Sequence, residues 1–158
     1  RVLFRSKSLI LRTAWLYGPY GKNFAKTIIK KALVSKDEIK VINDQKGQPT
    51  TTTDLASKIL EIVNSRIVSG IYHGTNSGEA TWWEFARELF ALSGESVERV
   101  TPVTSDQFPS PVKRPAYSVL DHSMWDKVGL SPMRDWRDAL QEIYPAIRAE
   151  VEKELSNG

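Results

Sequence analysis

One stretch, RTAWLYGPYGKNF (residues 12–24), gathers an indole, two phenols and an asparagine around paired glycines. Trp15 and Tyr17 close an apolar run with the character of a covered strand. In open parallel sheets, ligands bind beyond the carboxyl ends of the strands. A flat aromatic ring placed there suits stacking on a base or a sugar ring. Gly18 and Gly21 follow and permit close backbone approach. Asn23 stands at a helix entrance and offers both a donor and an acceptor. The competing reading makes Trp15 and Tyr17 core residues and Asn23 an N-cap.

The elements that must position these groups can be read from periodicity. Ser8 to Tyr17 is nearly continuous apolar, as expected of a parallel strand covered on both faces. Phe24, Ala25, Ile28, Ile29, Ala32 and Leu33 recur at helical spacing, with Lys22, Lys26, Lys30 and Lys31 opposite. Lys40–Asn43 predicts a short strand, and Asp44–Thr50 a polar loop. A threonine-capped helix follows, with Leu55, Ile59, Ile62 and Val63 as its apolar stripe. Ile71–His73 predicts another strand. Thr81-x-x-Glu84 is a capping box, opening a helix that Gly94 is placed to end. Val100–Val103 predicts a strand, and Ser105–Pro115 a proline-rich loop. A last helix from about Arg134 presents Trp136, Ala139, Leu140, Ile143 and Ile147, and Pro145 should kink or break it. The Glu/Lys-rich segment 149–154 reads as a solvated face, and residues 151–158 as a tail. Strands alternating with helices predict an α/β architecture with a largely parallel sheet.

Composition narrows the function classes. The chain has 158 residues, 41% hydrophobic and 26% charged, enough for one ordinary domain with a real core. No apolar run approaches the roughly 20 residues a membrane span needs, so no membrane partner is expected. The net charge is +3, but the basic residues are dispersed. A nucleic-acid footprint needs a clustered basic face, so none is expected either. With no cysteine and only two histidines, His73 and His122, no protein-built metal site is expected. Absent cysteines and any signal segment fit a cytoplasmic location.

Five segments in order then carry a resemblance: RTAWLYG, Asn23-Phe24, DQKGQPT (44–50), IYHGTNSGEATWWEFAR (71–87) and KRPAYSVLD (113–121). Together they resemble the carboxy-terminal half of dTDP-4-dehydrorhamnose reductases, members of the extended short-chain dehydrogenase/reductase superfamily. The resemblance covers residues 8 to about 147. It implies the C-terminal part of a Rossmann-like NAD(P)-binding fold with its substrate-binding subdomain, here residues 7–150. The implied reaction reduces dTDP-6-deoxy-L-lyxo-4-hexulose to dTDP-L-rhamnose with NADPH or NADH. Trp15 and Asn23 would contact the sugar nucleotide, and Thr13 and Ala14 would lie near the nicotinamide. Gln45, Gln48 and Thr50 would lie over the nucleotide, unless the loop is simply a polar turn held by Gly47 and Pro49. Arg114 would meet the diphosphate through paired charge-assisted hydrogen bonds. The family usually carries two arginines there; Lys113 keeps the charge but not the fork. The resemblance also admits a homodimer and fusion to a 3,5-epimerase domain. Its competitors are another extended short-chain epimerase or dehydratase, and a non-catalytic regulatory subunit.

The catalytic elements such a reductase requires are absent from these residues. No two glycines stand two apart, so there is no glycine-rich dinucleotide turn. No tyrosine has a lysine four positions on, so the Tyr-x-x-x-Lys acid pair is missing as well. In the family both precede the RTAW-type strand. The leader RVLFRS (1–6) matches a translated sequencing adapter, so the expectation is a truncated reading frame with an inactive product.

Overall fold

The computed structural model describes residues 8–67, 69–108, 112 and 114–157. The leader 1–6 and Lys113 lie outside them. Among the described residues, ten short strands are interleaved with five helices. The strands are β1 (Leu9–Arg12), β2 (Leu16–Tyr17), β3 (Ile39–Ile42), β4 (Lys46–Gly47), β5 (Thr50–Thr51), β6 (Gly70–His73), β7 (Asn76–Ser77), β8 (Ala80–Thr81), β9 (Val100–Val103) and β10 (Met133–Asp135). The helices are α1 (Phe24–Val34), α2 (Thr52–Asn64), α3 (Trp82–Leu92), α4 (Ser123–Lys127) and α5 (Trp136–Ser156).

The strands form two-stranded pairs rather than one sheet. Four pairs are parallel (β1–β6, β2–β5, β3–β9 and β7–β10), and β4–β8 is antiparallel. Parallel pairing over long, helix-containing connections is the α/β pattern the sequence predicts. The expected single strand over 8–17 is instead two. Trp15 adopts the left-handed region at φ 50°, which ends β1 and turns β2 toward β5.

Two cores result. The larger packs α1, α3 and α5 over β3 and β9, through Ile29, Phe85, Leu89, Phe90, Trp136 and Ile147, all at most 1% exposed. The smaller joins Ile62, Tyr72 and Trp125 beneath Leu9 and Leu11. Local signals explain the helix starts. Asn23 caps α1, Thr51 caps α2, Asp135 caps α5, and the Thr81/Glu84 capping box opens α3. Gly94, at φ 77°, ends α3 as its position predicts.

Three expectations are corrected. Pro145 does not break α5, which runs 21 residues, because one missing N–H is tolerated where Tyr144 and Ile147 are locked into the core. The 149–154 stretch is not wholly a solvated face, since α5 runs on to Ser156 and buries Val151 to 1% exposure. Lys26 does not sit on a solvated face. It is buried and paired with Glu154, Nζ to Oε1 at 2.5 Å.

The predicted stripe of α2 is only partly covered. Ile62 is buried, but Ile59 is 44% and Val63 72% exposed. With Leu9, Leu11, Thr13 and Leu55 they line an open apolar trough of about 230 Å³.

Candidate functional site

Polar and cationic groups meet an apolar wall beside β3. The segment after β3 and the segment ending at Ala116 enclose a cleft of about 900 Å³, lined in part by Gln45, Phe108 and Arg114. An adjoining groove of about 490 Å³ shares those three residues and adds Phe24, Lys31, Lys40 and Trp82. The arrangement combines three cations with the exposed ring of Phe108 and the half-buried rings of Phe24 and Trp82. Guanidinium and ammonium groups suit phosphate oxygens, and aromatic faces suit a base or sugar.

Hydrogen bonds hold the two segments that supply Gln45 and Arg114. Lys46 N–H donates to Ala116 O at 2.8 Å, and Ser118 N–H donates to Lys46 O at 2.9 Å. On the far wall of the cleft, Asp44 Oδ2 accepts from the N–H and the hydroxyl of Ser105 at 2.9 and 2.8 Å. Those two bonds, the backbone one first, hold the Asp44 carboxyl below the usual carboxylate range.

The sequence-predicted residues divide three ways. Gln45 and Arg114 share the cleft. Trp15 stands one ring behind it. Its indole stacks on Trp82 with centroids 3.5 Å apart and planes 9° from parallel, and Trp82 packs on Phe24 at 4.6 Å. Asn23 is half-buried and its amide is engaged. Oδ1 accepts from Lys26 N–H at 3.1 Å, and Nδ2 donates to Gly18 O at 2.9 Å.

Gln48 and Thr50 depart from expectation. Gln48 is 3% and Thr50 0% exposed, so neither is presented to the cleft. Gln48 Oε1 accepts from Leu120 N–H at 2.8 Å and from Thr75 Oγ1 at 2.9 Å, while Nε2 donates to Leu120 O at 3.3 Å. Thr50 Oγ1 donates to Gln48 O at 3.0 Å. A polar side chain in a mixed loop gives no sequence signal to separate an internal strut from a ligand contact. Thr13 is exposed and lines the apolar trough; Ala14 is half-buried beside it.

Tyr17, the other candidate aromatic, is core: it is 2% exposed and packs on Phe85 at 5.0 Å. Burial foremost, with the Asp54 charge adding and Arg134 opposing, pushes its phenol well above the ordinary range. His73 Nδ1 lies 2.7 Å from Asp121 O, and His122 Nε2 2.8 Å from Thr75 Oγ1. Among the described residues, no cluster of acidic or histidine side chains could hold a metal, and no helix is long and apolar enough to cross a membrane. The sequence reading missed Phe24, Lys31, Lys40, Trp82 and Phe108 as cleft residues. Only convergence in space, not spacing along the chain, marks them.

These residues do not fit a whole dinucleotide. A pyrophosphate needs a glycine-rich turn at an uncapped helix N-terminus, whereas α1, α2, α3 and α5 are each closed by their own side chains.

Residues 4–149 match the family described as the RmlD substrate binding domain. A dTDP-4-dehydrorhamnose reductase of Streptomyces griseus is 45% identical over 142 residues, covering 87% of this chain and 46% of that protein. A probable dTDP-4,6-dihydroxy-2-methyloxan-3-one 4-ketoreductase of Streptomyces antibioticus is 48% identical over 140 residues, covering 89% of this chain and 47% of that one. The crystal structure of a dTDP-4-dehydrorhamnose reductase from Bacillus anthracis in complex with NADP superposes with a TM-score of 0.81 at 36% identity, covering 87% of this chain and 48% of that one. The chain thus spans about half the length of the relatives it matches. With the matched segment taking in nearly every described element, the chain belongs to the RmlD substrate-binding-domain family.

Proposed function

We propose that this chain is the sugar-nucleotide-binding half of an NAD(P)H-dependent dTDP-4-dehydrorhamnose reductase, with the nucleotide diphosphate held in the Gln45/Arg114 cleft. The observation that carries the reading is the convergence of Gln45, Arg114, Lys31 and Lys40 with the faces of Phe24, Trp82 and Phe108. Arg114 meets the diphosphate, the aromatic faces meet the base or sugar, and Trp15 braces Trp82 from behind. Asn23 fixes the turn that delivers Phe24 to the same wall. Thr13 and Ala14 lie at the apolar trough, where the nicotinamide-bearing half would face them. The dinucleotide site and the proton donor belong to residues outside this chain's sequence, so no hydride or proton step is assigned to it.

Two experiments test the reading. Titration of the chain with dTDP should give saturable binding that Arg114→Ala weakens. Joined to a dinucleotide-binding half, it should oxidise NAD(P)H in the presence of the 4-keto sugar nucleotide. Absence of dTDP binding by the joined protein would overturn it.

A second reading is favoured by the comparisons. The ketoreductase relative is at least as similar as the dehydrorhamnose reductase, 48% against 45% identity. The keto sugar reduced by the whole protein would then be a different dTDP-linked 4-ketone, and product stereochemistry by NMR separates the two.

A further inference from the structure

Between the smaller core and the cleft runs a line of polar side chains whose donor directions can be worked out. Gln48 Oε1 faces Leu120 N–H at 2.8 Å. A backbone N–H only donates, which fixes that atom as the amide oxygen. Thr75 Oγ1 lies 2.9 Å from the same oxygen, so its hydroxyl proton points to Gln48. Thr75 has no second proton, and His122 Nε2 lies 2.8 Å away. His122 must therefore be the donor, through Nε2–H. Thr75 is 0% and Gln48 3% exposed, so the bond between them is shielded from water, while His122 at the end of the line is half-buried.

We propose that His122 is a positioning residue for the nucleotide cleft, acting through Thr75 and Gln48 to fix how the 44–50 segment lies against 116–121. The inference rests on the sugar-nucleotide reading of that cleft. Gln48 lies three residues from Gln45, and its amide grips Leu120, six residues from Arg114. The Lys46–Ala116 and Lys46–Ser118 backbone bonds complete the lacing. Loss of the Thr75 hydroxyl leaves a buried carbonyl lone pair and a half-buried imidazole N–H without this partner, and both costs fall on the segments that deliver the two ligand groups. Protonation of His122 keeps Nε2–H in place, so the direction of the line does not reverse.

The test compares Thr75→Val, Thr75→Ser, His122→Phe and His122→Gln with the parent sequence. Serine keeps the hydroxyl, and glutamine carries an N–H near the Nε2 position. Each chain, kept dilute, is followed by hydrogen exchange of peptides spanning 44–50 and 116–121, with and without dTDP, and by fluorescence titration with dTDP. The expected result is exchange in both segments about tenfold faster in Thr75→Val and His122→Phe. Their dTDP affinity should be several-fold weaker while α3 and α5 peptides are unchanged. Thr75→Ser and His122→Gln should restore both. The double variant should lose no more than Thr75→Val alone, since both substitutions interrupt one line. Unchanged exchange in 44–50 and 116–121, or losses that simply add, would overturn the proposal. If no chain binds dTDP, the nucleotide reading falls separately, and the exchange pattern still decides whether His122 fixes these two segments.

Discussion

Trp15 lies flat on Trp82, with ring centroids 3.5 Å apart and planes 9° from parallel. The contact joins the strained turn after β1 to the first turn of α3, and it sets the back wall of the groove that holds Phe24, Gln45 and Arg114. Room for the indole comes from Gly47, where an added Cβ would stand 2.4 Å from Trp15 Cε2. Gly47→Ala should therefore cost about 1–3 kcal/mol through overpacking. Urea denaturation and tryptophan fluorescence check it, and a variant with the parent midpoint and spectrum would show that the ring has space to move.

Arg114 carries the charge-assisted contact proposed for the diphosphate. Replacement by alanine should weaken dTDP about tenfold or more, and replacement by lysine should recover only part of that, because a lysine lacks the paired donors. Calorimetric titration at two salt concentrations measures both effects. Equal affinity of the lysine and arginine forms would show that charge alone is read there.

The bidentate pair of Asp54 and Arg134 predicts acid sensitivity. Burial raises the Asp54 carboxyl, but hydrogen bonds from Arg134 and Asn76 outweigh it and leave the group below its ordinary value. A carboxyl depressed in the folded state contributes stability that is present above its unfolded pKa of about 3.9 and is lost as pH falls through the folded one. The parent chain should therefore lose stability as pH falls below about 4. Asp54→Asn should start about 1–3 kcal/mol lower and fall less steeply. Denaturant midpoints between neutral and acid pH decide it; parallel slopes would count against the linkage.

Lys26 and Val151 make the last turns of α5 part of the fold. Ending the chain after residue 150 removes Val151 and the Glu154 partner of a lysine whose side chain is 8% exposed. The loss should reach about 3 kcal/mol or more, and Glu154→Gln alone about 1 kcal/mol. Thermal melts of the three chains would separate packing from charge.

The apolar trough of Leu9, Leu11, Leu55, Ile59 and Val63 should make residues 7–158 self-associate as concentration rises, with binding of an apolar dye. Sedimentation at several concentrations tests this. A cooperative, monomeric melt across the range would show that the face is satisfied without a further element.

Much of the architecture is legible in local chemistry. The capping box at Thr81/Glu84 and the stop at Gly94 set α3 because each is satisfied within one turn of chain. The break at Trp15 was not legible, since a left-handed tryptophan is imposed by tertiary contacts with Gly47 and Trp82 rather than by any local preference. The site shows the same limit. Gln45 and Gln48 differ by three positions in one polar loop, yet the first lines the cleft and the second is sealed against Leu120 and Thr75. Which side of the loop faces inward is decided by residues 75 and 120, far along the chain. Lys26 likewise shares its helix with two exposed lysines, Lys30 and Lys31, and only Glu154 distinguishes it.

The ion pair between Lys26 and Glu154 spans 128 residues. During synthesis, α1 leaves the ribosome long before α5, and α3 alone can cover its Ile29 face until α5 arrives. At roughly 5–20 residues per second, that interval lasts on the order of ten seconds, the window in which chaperones would meet the nascent chain. The larger core thus closes only after translation has passed residue 154, and a late stop codon would leave behind not a trimmed protein but one that has never been closed.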